Sequence, residues 1–123
     1  MRKFDAIYLS GGYGTMYDFL ENTDLQAIIA MHHEARKIVS AACHGVGGLL
    51  NVRISNGKNL IADKKITGFS WLEEFFAQQK KLVPFNLEQA LKNRGAHYEK
   101  VFFLMGSKVV IDENLITGQN PFS

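Results

Sequence analysis

The sequence predicts an α/β domain with a mainly parallel sheet, on three observations. Residues 5–9 and 37–42 are short apolar runs of the kind that form buried strands. Between them, residues 24–36 place Leu25, Ile28, Ile29 and His32 at helical spacing. Directly after the second run, residues 45–52 carry Val46, Leu49 and Leu50 on one helical face. Strand, helix, strand, helix in that order implies parallel pairing through a right-handed crossover.

Each element has a local cause. The first strand closes on Ser10-Gly11-Gly12, a loop able to take unusual dihedrals. Asp24 is placed to cap the first helix. After the second helix, residues 58–62 and 65–67 flank the polar pair Asp63-Lys64 and read as a small hairpin off the main sheet. Ser70-Trp71-Leu72-Glu73 matches a capping box, in which hydroxyl and carboxylate each satisfy a free backbone N–H, and predicts a helix over 70–79. Asn86-Leu87-Glu88-Gln89 repeats the device, and Leu87, Ala90 and Leu91 line one face before Gly95 ends that helix. Residues 101–105 read as another buried strand. Residues 108–112 and 115–117 flank Glu113-Asn114, a second hairpin signal. The chain opens directly on a core strand and stops at Asn120-Pro121-Phe122-Ser123, so the domain reads as cut at both ends.

A chain of 123 residues, 46% of them hydrophobic, suffices for one compact domain over 1–123 and is too short for two. Its 14 basic and 12 acidic residues give a net charge of +2 and are scattered, which argues against a nucleic-acid partner. No apolar run approaches the roughly 20 residues that span a bilayer, and the start MRKFDAIYLSGG reads as a strand running into glycines rather than a secretory signal. The expectation is a soluble, cytoplasmic protein with no membrane partner. A single cysteine excludes an internal disulfide and leaves Cys43 as either a small buried hydrophobe or a working thiol.

The segment KIVSAACHGVGG sets Cys43 between a buried strand and a Gly-rich helix start, as in a nucleophile elbow. Ala41 and Gly45 supply the small neighbours that a sharp, strained turn needs. N–H groups at a helix start favour thiolate over thiol, so the expectation is a lowered pKa for Cys43, and the same groups suit an oxyanion. Core packing is the competing reading of a lone cysteine. His44 is either a general base beside the thiol or a helix-start residue without a role. Gly11, Gly12 and Gly14 follow a strand parallel to the one bearing Cys43; they make either an oxyanion hole beside it or only a turn that needs positive φ. His32-His33-Glu34 argues weakly for a metal, since consecutive helical residues point about 100° apart. His97-Tyr98-Glu99 offers a rival base and acid, and equally fits a strand edge.

Taken together, DAIYLSGGYGTMYDF, KIVSAACHGVGGLLN, GKNLIADKKITGFSWLEE and VVIDENLITGQNPFS resemble the ThiJ/PfpI superfamily, in the branch with glyoxalase III and heat-shock chaperones. The resemblance covers nearly the whole chain, with the blocks in the family's order and spacing. It implies a flavodoxin-like three-layer α/β sandwich, a catalytic pair at Cys43 and His44, and an oxyanion loop at Gly11 and Gly12. It also implies a reaction without metal, glutathione or other cofactor. The thiolate adds to the aldehyde of a 2-oxoaldehyde such as methylglyoxal, and the product is a 2-hydroxy acid.

Relatives carry, on an additional amino-terminal stretch, a Glu that hydrogen-bonds the cysteine, and they carry a helix after the GQNP block; neither lies within this sequence. Some use an Asp where this sequence has Trp71, and of the nearby acids Glu73 and Glu74 the first is occupied by the capping box. The catalytic acid is therefore expected to be missing. Exposed strand edges and apolar faces point to a homodimer or larger assembly. Two readings stand beside a glyoxalase or deglycase: a catalytically weak, chaperone-like stress protein, and a thiol amidase or peptidase. The last needs an imidazole, from His44 or from His97 with Glu99, within about 3–3.5 Å of the thiol.

Overall fold

A computed structural model describes residues 4–76, 83–101, 106–121 and 123. In chain order its elements are β1 (Ala6–Leu9), α1 (Thr15–Asp18), α2 (Thr23–Glu34), β2 (Ile38–Ala42), a 3-10 helix (Cys43–Leu49), β3 (Lys65–Ile66), α3 (Trp71–Phe76), α4 (Leu87–Asn93), β4 (His97–Tyr98), β5 (Val109–Asp112) and β6 (Leu115–Gly118). The main sheet runs β1-β2-β6-β5. β1 pairs parallel with β2, Leu9 opposite Ala41, and β2 pairs parallel with β6, Ala41 opposite Thr117. β5 closes the sheet antiparallel to β6. The mainly parallel α/β class is the one the sequence predicts. With this register the carboxyl ends of β1, β2 and β6 lie side by side, so the loops that follow them converge.

Alternation along the strands gives the sheet two different faces. Leu9, Val39, Ala41, Val110 and Leu115 are buried on one face, and all but Val110 join Ile29, Val46, Leu49, Leu50 and Leu91 in the core. Burying each large aliphatic side chain contributes roughly 1.5–3 kcal/mol. The opposite face carries Tyr8, Ile38, Val109 and Ile111, all exposed.

Several local expectations change in the structure. α2 is capped by Asn22, whose side chain accepts from Leu25 N–H at 3.0 Å, and not by Asp24. Asn22 stands three residues before that N–H, the reach a cap needs, whereas Asp24 already lies in the first turn. The segment after β2 is a 3-10 helix rather than an α-helix, and all of its residues are buried, so it has no single apolar face. Its glycines let it wind tightly onto β1: a Cβ at Gly45 would overlap the Ser10 carbonyl oxygen and stand 2.6 Å from that of Leu9.

The hairpin expected over 58–67 does not form. Asp63 does turn the chain, at φ 62°, but β3 pairs parallel with β4 in a separate two-stranded sheet. His97 N–H donates to Lys64 O and Glu99 N–H to Ile66 O, each at 2.8 Å. Asn59 bridges Arg53 instead. Buried backbone groups must find partners, and a strand distant in sequence supplies them.

The capping box forms as expected: Glu73 N–H donates to Ser70 Oγ at 3.1 Å, and Ser70 N–H to Glu73 Oε1 at 3.0 Å. Residues 77–79 of the expected helix lie outside the described residues, as do 102–105 of the strand expected over 101–105. Asn86 caps α4 by accepting from Gln89 N–H at 3.0 Å, and Gly95, at φ 87°, turns the chain after it. Gln89 does not complete a second box, since its side chain donates to Asn93 Oδ1 at 2.9 Å; the neighbouring Glu88 carboxylate accepts from Trp71 N–H at 3.1 Å and from Lys92 Nζ at 3.0 Å. The β5–β6 hairpin turns at Glu113, φ 55°. Among the described residues no helix is long and apolar enough to cross a membrane.

Candidate active site

Cys43 is the first residue after β2 and adopts a left-handed backbone, φ 56°. Such a conformation costs a non-glycine residue on the order of 1–3 kcal/mol and persists only where its surroundings impose it. Here the surroundings are the β1 loop. A Cβ at Gly11 would stand 3.0 Å from Cys43 Cβ and 3.7 Å from Sγ, while Gly12 takes φ 112°, a conformation suited to glycine. Thr15 ties the loop down, its hydroxyl donating to Gly12 O at 2.6 Å. The elbow and the glycine loop that the sequence places side by side are in contact.

Sγ of Cys43 lies 3.3 Å from Nδ1 of His44, and Nε2 of His44 lies 2.9 Å from Oε1 of Glu74. All three side chains are buried. A carboxylate only accepts, so the proton of the neutral imidazole sits on Nε2 and the Nδ1 lone pair faces the thiol. His44 is further packed by two rings, Tyr13 and Phe69, each with its centroid 4.3 Å from the imidazole.

Glu73 and Glu74 are consecutive on α3 and diverge as helical neighbours do. Oε1 of Glu73 accepts from Ser70 N–H and Oγ and from Gln119 Nε2, and its Oε2 accepts from Asn120 Nδ2 at 2.8 Å. Glu73 thus joins the start of α3 to the segment after β6. Oε2 of Glu74 has no partner among the described residues, so the hydrogen bonding of Glu74 is directed at His44.

The expected low pKa of Cys43 is not what the site produces. Burial pushes the thiol up to about 11. The His44 and Gly12 N–H groups pull it down, Glu73 and Glu74 push it further up, and burial outweighs the N–H groups. The 3-10 helix is short, and its start offers less than the loss of water takes away.

A cavity of about 250 Å³ opens beside the thiol, lined by Tyr8, Gly11, Gly12, Cys43, Asn120 and Ser123 among others. A larger one, about 760 Å³, is lined by Ile38 at the start of β2 and by Glu113 and Asn114 before β6, at the other end of the sheet from Cys43.

The structure therefore brings Cys43, His44, Gly11 and Gly12 together. The rival pair falls elsewhere: His97 Nε2 lies 3.8 Å from Asp63, and Glu99 lies 3.6 Å from Lys108 Nζ. His32 bonds the Ile28 carbonyl of its own helix at 2.9 Å. An acid is not missing from the His44 side of the site, because Glu74 stands there. Its sequence signal was a second carboxylate in the first turn of a helix whose capping box uses only the first.

The DJ-1/PfpI family model matches residues 1–123. Glyoxalase 3 of Candida albicans is 32% identical over 125 residues, covering 98% of this chain and 53% of the relative. Glutathione-independent glyoxalase HSP31 of Saccharomyces cerevisiae is 32% identical over 127 residues, with the same shares of 98% and 53%. Among solved structures, Rapid Encystment Protein 24 KDa of Francisella tularensis superposes with a TM-score of 0.94 at 40% identity, over 98% of this chain and 53% of that one. Glyoxalase III from Candida albicans gives a TM-score of 0.88 at 31% identity, over 97% and 52%. The chain spans about half the length of the curated relatives it matches. With sequence blocks, sheet order and elbow in agreement, the chain belongs to the DJ-1/PfpI family.

Proposed function

We propose that the chain carries the reacting centre of a cysteine-dependent, glutathione-independent glyoxalase acting on small 2-oxoaldehydes such as methylglyoxal. One observation carries the reading: the aligned chain from Cys43 Sγ through both nitrogens of His44 to Glu74. His44 Nδ1 takes the thiol proton, and the imidazolium so formed is held by the Glu74 carboxylate. The thiolate adds to the aldehyde carbon, and backbone N–H groups of the Gly11-Gly12 loop face the resulting oxyanion. A proton leaves the former aldehyde carbon and one is returned at the neighbouring carbon, giving a thioester of the 2-hydroxy acid. Water hydrolyses that thioester and restores the thiol, for a net addition of one water.

A cavity of about 250 Å³ lies below the roughly 300–1,000 Å³ of pockets for drug-sized ligands and suits a substrate of few atoms. The test is lactate formation from methylglyoxal by the purified chain, with Cys43→Ser as control. Lactate from the wild type alone supports the reading, and its absence from both removes it.

The exposed Tyr8, Ile38, Val109 and Ile111 favour a second reading, a chaperone-like stress protein that uses its apolar sheet face. It expects suppression of client aggregation to survive Cys43→Ser. The same face supports self-association into a dimer or larger assembly.

A further inference from the structure

Tyr13 belongs to the Gly11–Gly14 stretch, yet no element of the proposed reaction uses it. Its ring centroid is 4.3 Å from that of His44 at an interplanar angle of 45°, and Phe69 stands at the same distance at 31°. Cys43 meets the imidazole at Nδ1 and Glu74 at Nε2, and the two aromatic rings pack close to it at tilted angles. A histidine ring rotates in a broad, roughly two-fold well, so packing against the ring adds to its two hydrogen bonds in limiting how far it swings. The Tyr13 and Phe69 rings supply that packing. Phe69 is core, 3% exposed, whereas Tyr13 sits on a partly exposed loop and can be changed without opening the interior.

We infer that Tyr13 is a positioning residue whose ring, rather than its hydroxyl, holds the His44 imidazole in the plane that directs Nδ1 at Cys43 and Nε2 at Glu74. The inference rests on the reading of Cys43 and His44 as the working pair. Burial, Glu74 and Cys43 all raise the Tyr13 pKa, in that order, which places the residue within electrostatic reach of both ends of the chain and keeps its phenol neutral.

The test compares wild type, Tyr13→Phe and Tyr13→Leu by nitrogen-15 NMR of the His44 imidazole in the full chain without substrate, beside lactate kinetics. Tyr13→Phe is expected to keep one Nε2–H tautomer, with kcat and KM within about twofold. Tyr13→Leu is expected to show mixed tautomers and a kcat lowered roughly tenfold to a hundredfold at unchanged KM. An unchanged His44 spectrum in Tyr13→Leu overturns the inference, and so does a Tyr13→Phe variant that behaves like Tyr13→Leu. Should Tyr13→Leu not fold, Tyr13→Met, which keeps bulk without a planar face, carries the same expectations. The spectrum needs no turnover, so a wild type that makes no lactate sinks the glyoxalase reading while the NMR comparison still decides Tyr13.

Discussion

The thiol of Cys43 and the imidazole of the next residue, His44, meet at 3.3 Å although they are neighbours in sequence. On a regular helix such neighbours diverge by about 100°. The left-handed φ of 56° at Cys43 takes the backbone out of that pattern just where the pair forms. The proton of the thiol is thus placed beside a base inside a site that disfavours a standing thiolate.

Alkylation of Cys43 by iodoacetamide should be slow at pH 7 and rise with pH, with a midpoint above the ordinary thiol value of about 8.5. The cause is burial, which pushes the thiol up to about 11. Mass spectrometry of the alkylated protein from pH 6 to 11 reads this directly. A midpoint at or below the ordinary value would contradict the burial argument.

That same shift ties stability to pH. The folded state holds the thiol proton more tightly than the unfolded chain, so the contribution is complete below pH 9.0 and is lost as pH rises toward about 11. A difference of this size corresponds to on the order of 3 kcal/mol. Guanidinium unfolding at pH 8 and pH 10.5 should show the wild type losing more stability than Cys43→Ser. Equal losses would mean that Cys43 is not the titrating group.

Glu74→Gln should fold and lose activity. An amide can still bond His44 Nε2 but brings no charge to hold the imidazolium, and loss of such assistance commonly costs about 10²–10⁴-fold. Lactate kinetics measures it, and a variant within threefold of wild type would take Glu74 out of the mechanism.

Glu73→Ala should act on stability instead. It leaves the Ser70 cap in place but removes the carboxylate that accepts from Ser70 N–H and Oγ and from Gln119 and Asn120, for a combined cost of about 2–4 kcal/mol. Denaturant midpoints check this, and a change below about 1 kcal/mol would show that Glu73 holds nothing together.

Two glycines, one in the 3-10 helix and one in the loop after β1, should separate fold from chemistry. Gly45→Ala meets the main-chain oxygens of Leu9 and Ser10, which cannot swing aside, and should unfold the chain or leave it insoluble. Gly11→Ala meets the Cys43 side chain, 3.0 Å away, and should lower kcat/KM by about tenfold or more with a smaller loss of stability. Thermal melts beside kinetics distinguish the two, and the reverse pattern would overturn the assignment.

Much of the site was legible before any coordinates. KIVSAACHGVGG announces a strand, a small-residue turn and a glycine-rich start, and the structure places Cys43 on that turn. Ser70 and Glu73 announce a helix start, and their reciprocal bonds form. The misplaced pieces are those whose partners lie far off in sequence. Lys65 and Ile66 look like one arm of a local hairpin, but their strand partner is His97-Tyr98.

The sequence by itself determined the α/β order, the elbow at Cys43 and the glycine loop that meets it, because these follow from side-chain periodicity and backbone freedom within a few residues. Only the tertiary structure decided that Glu74 rather than Glu73 faces His44, that Tyr13 and Phe69 lie against its ring, and that burial outweighs the helix start in setting the thiol pKa. Those outcomes depend on distances between separate elements and on how much water their packing excludes, and neither quantity is written in local spacing.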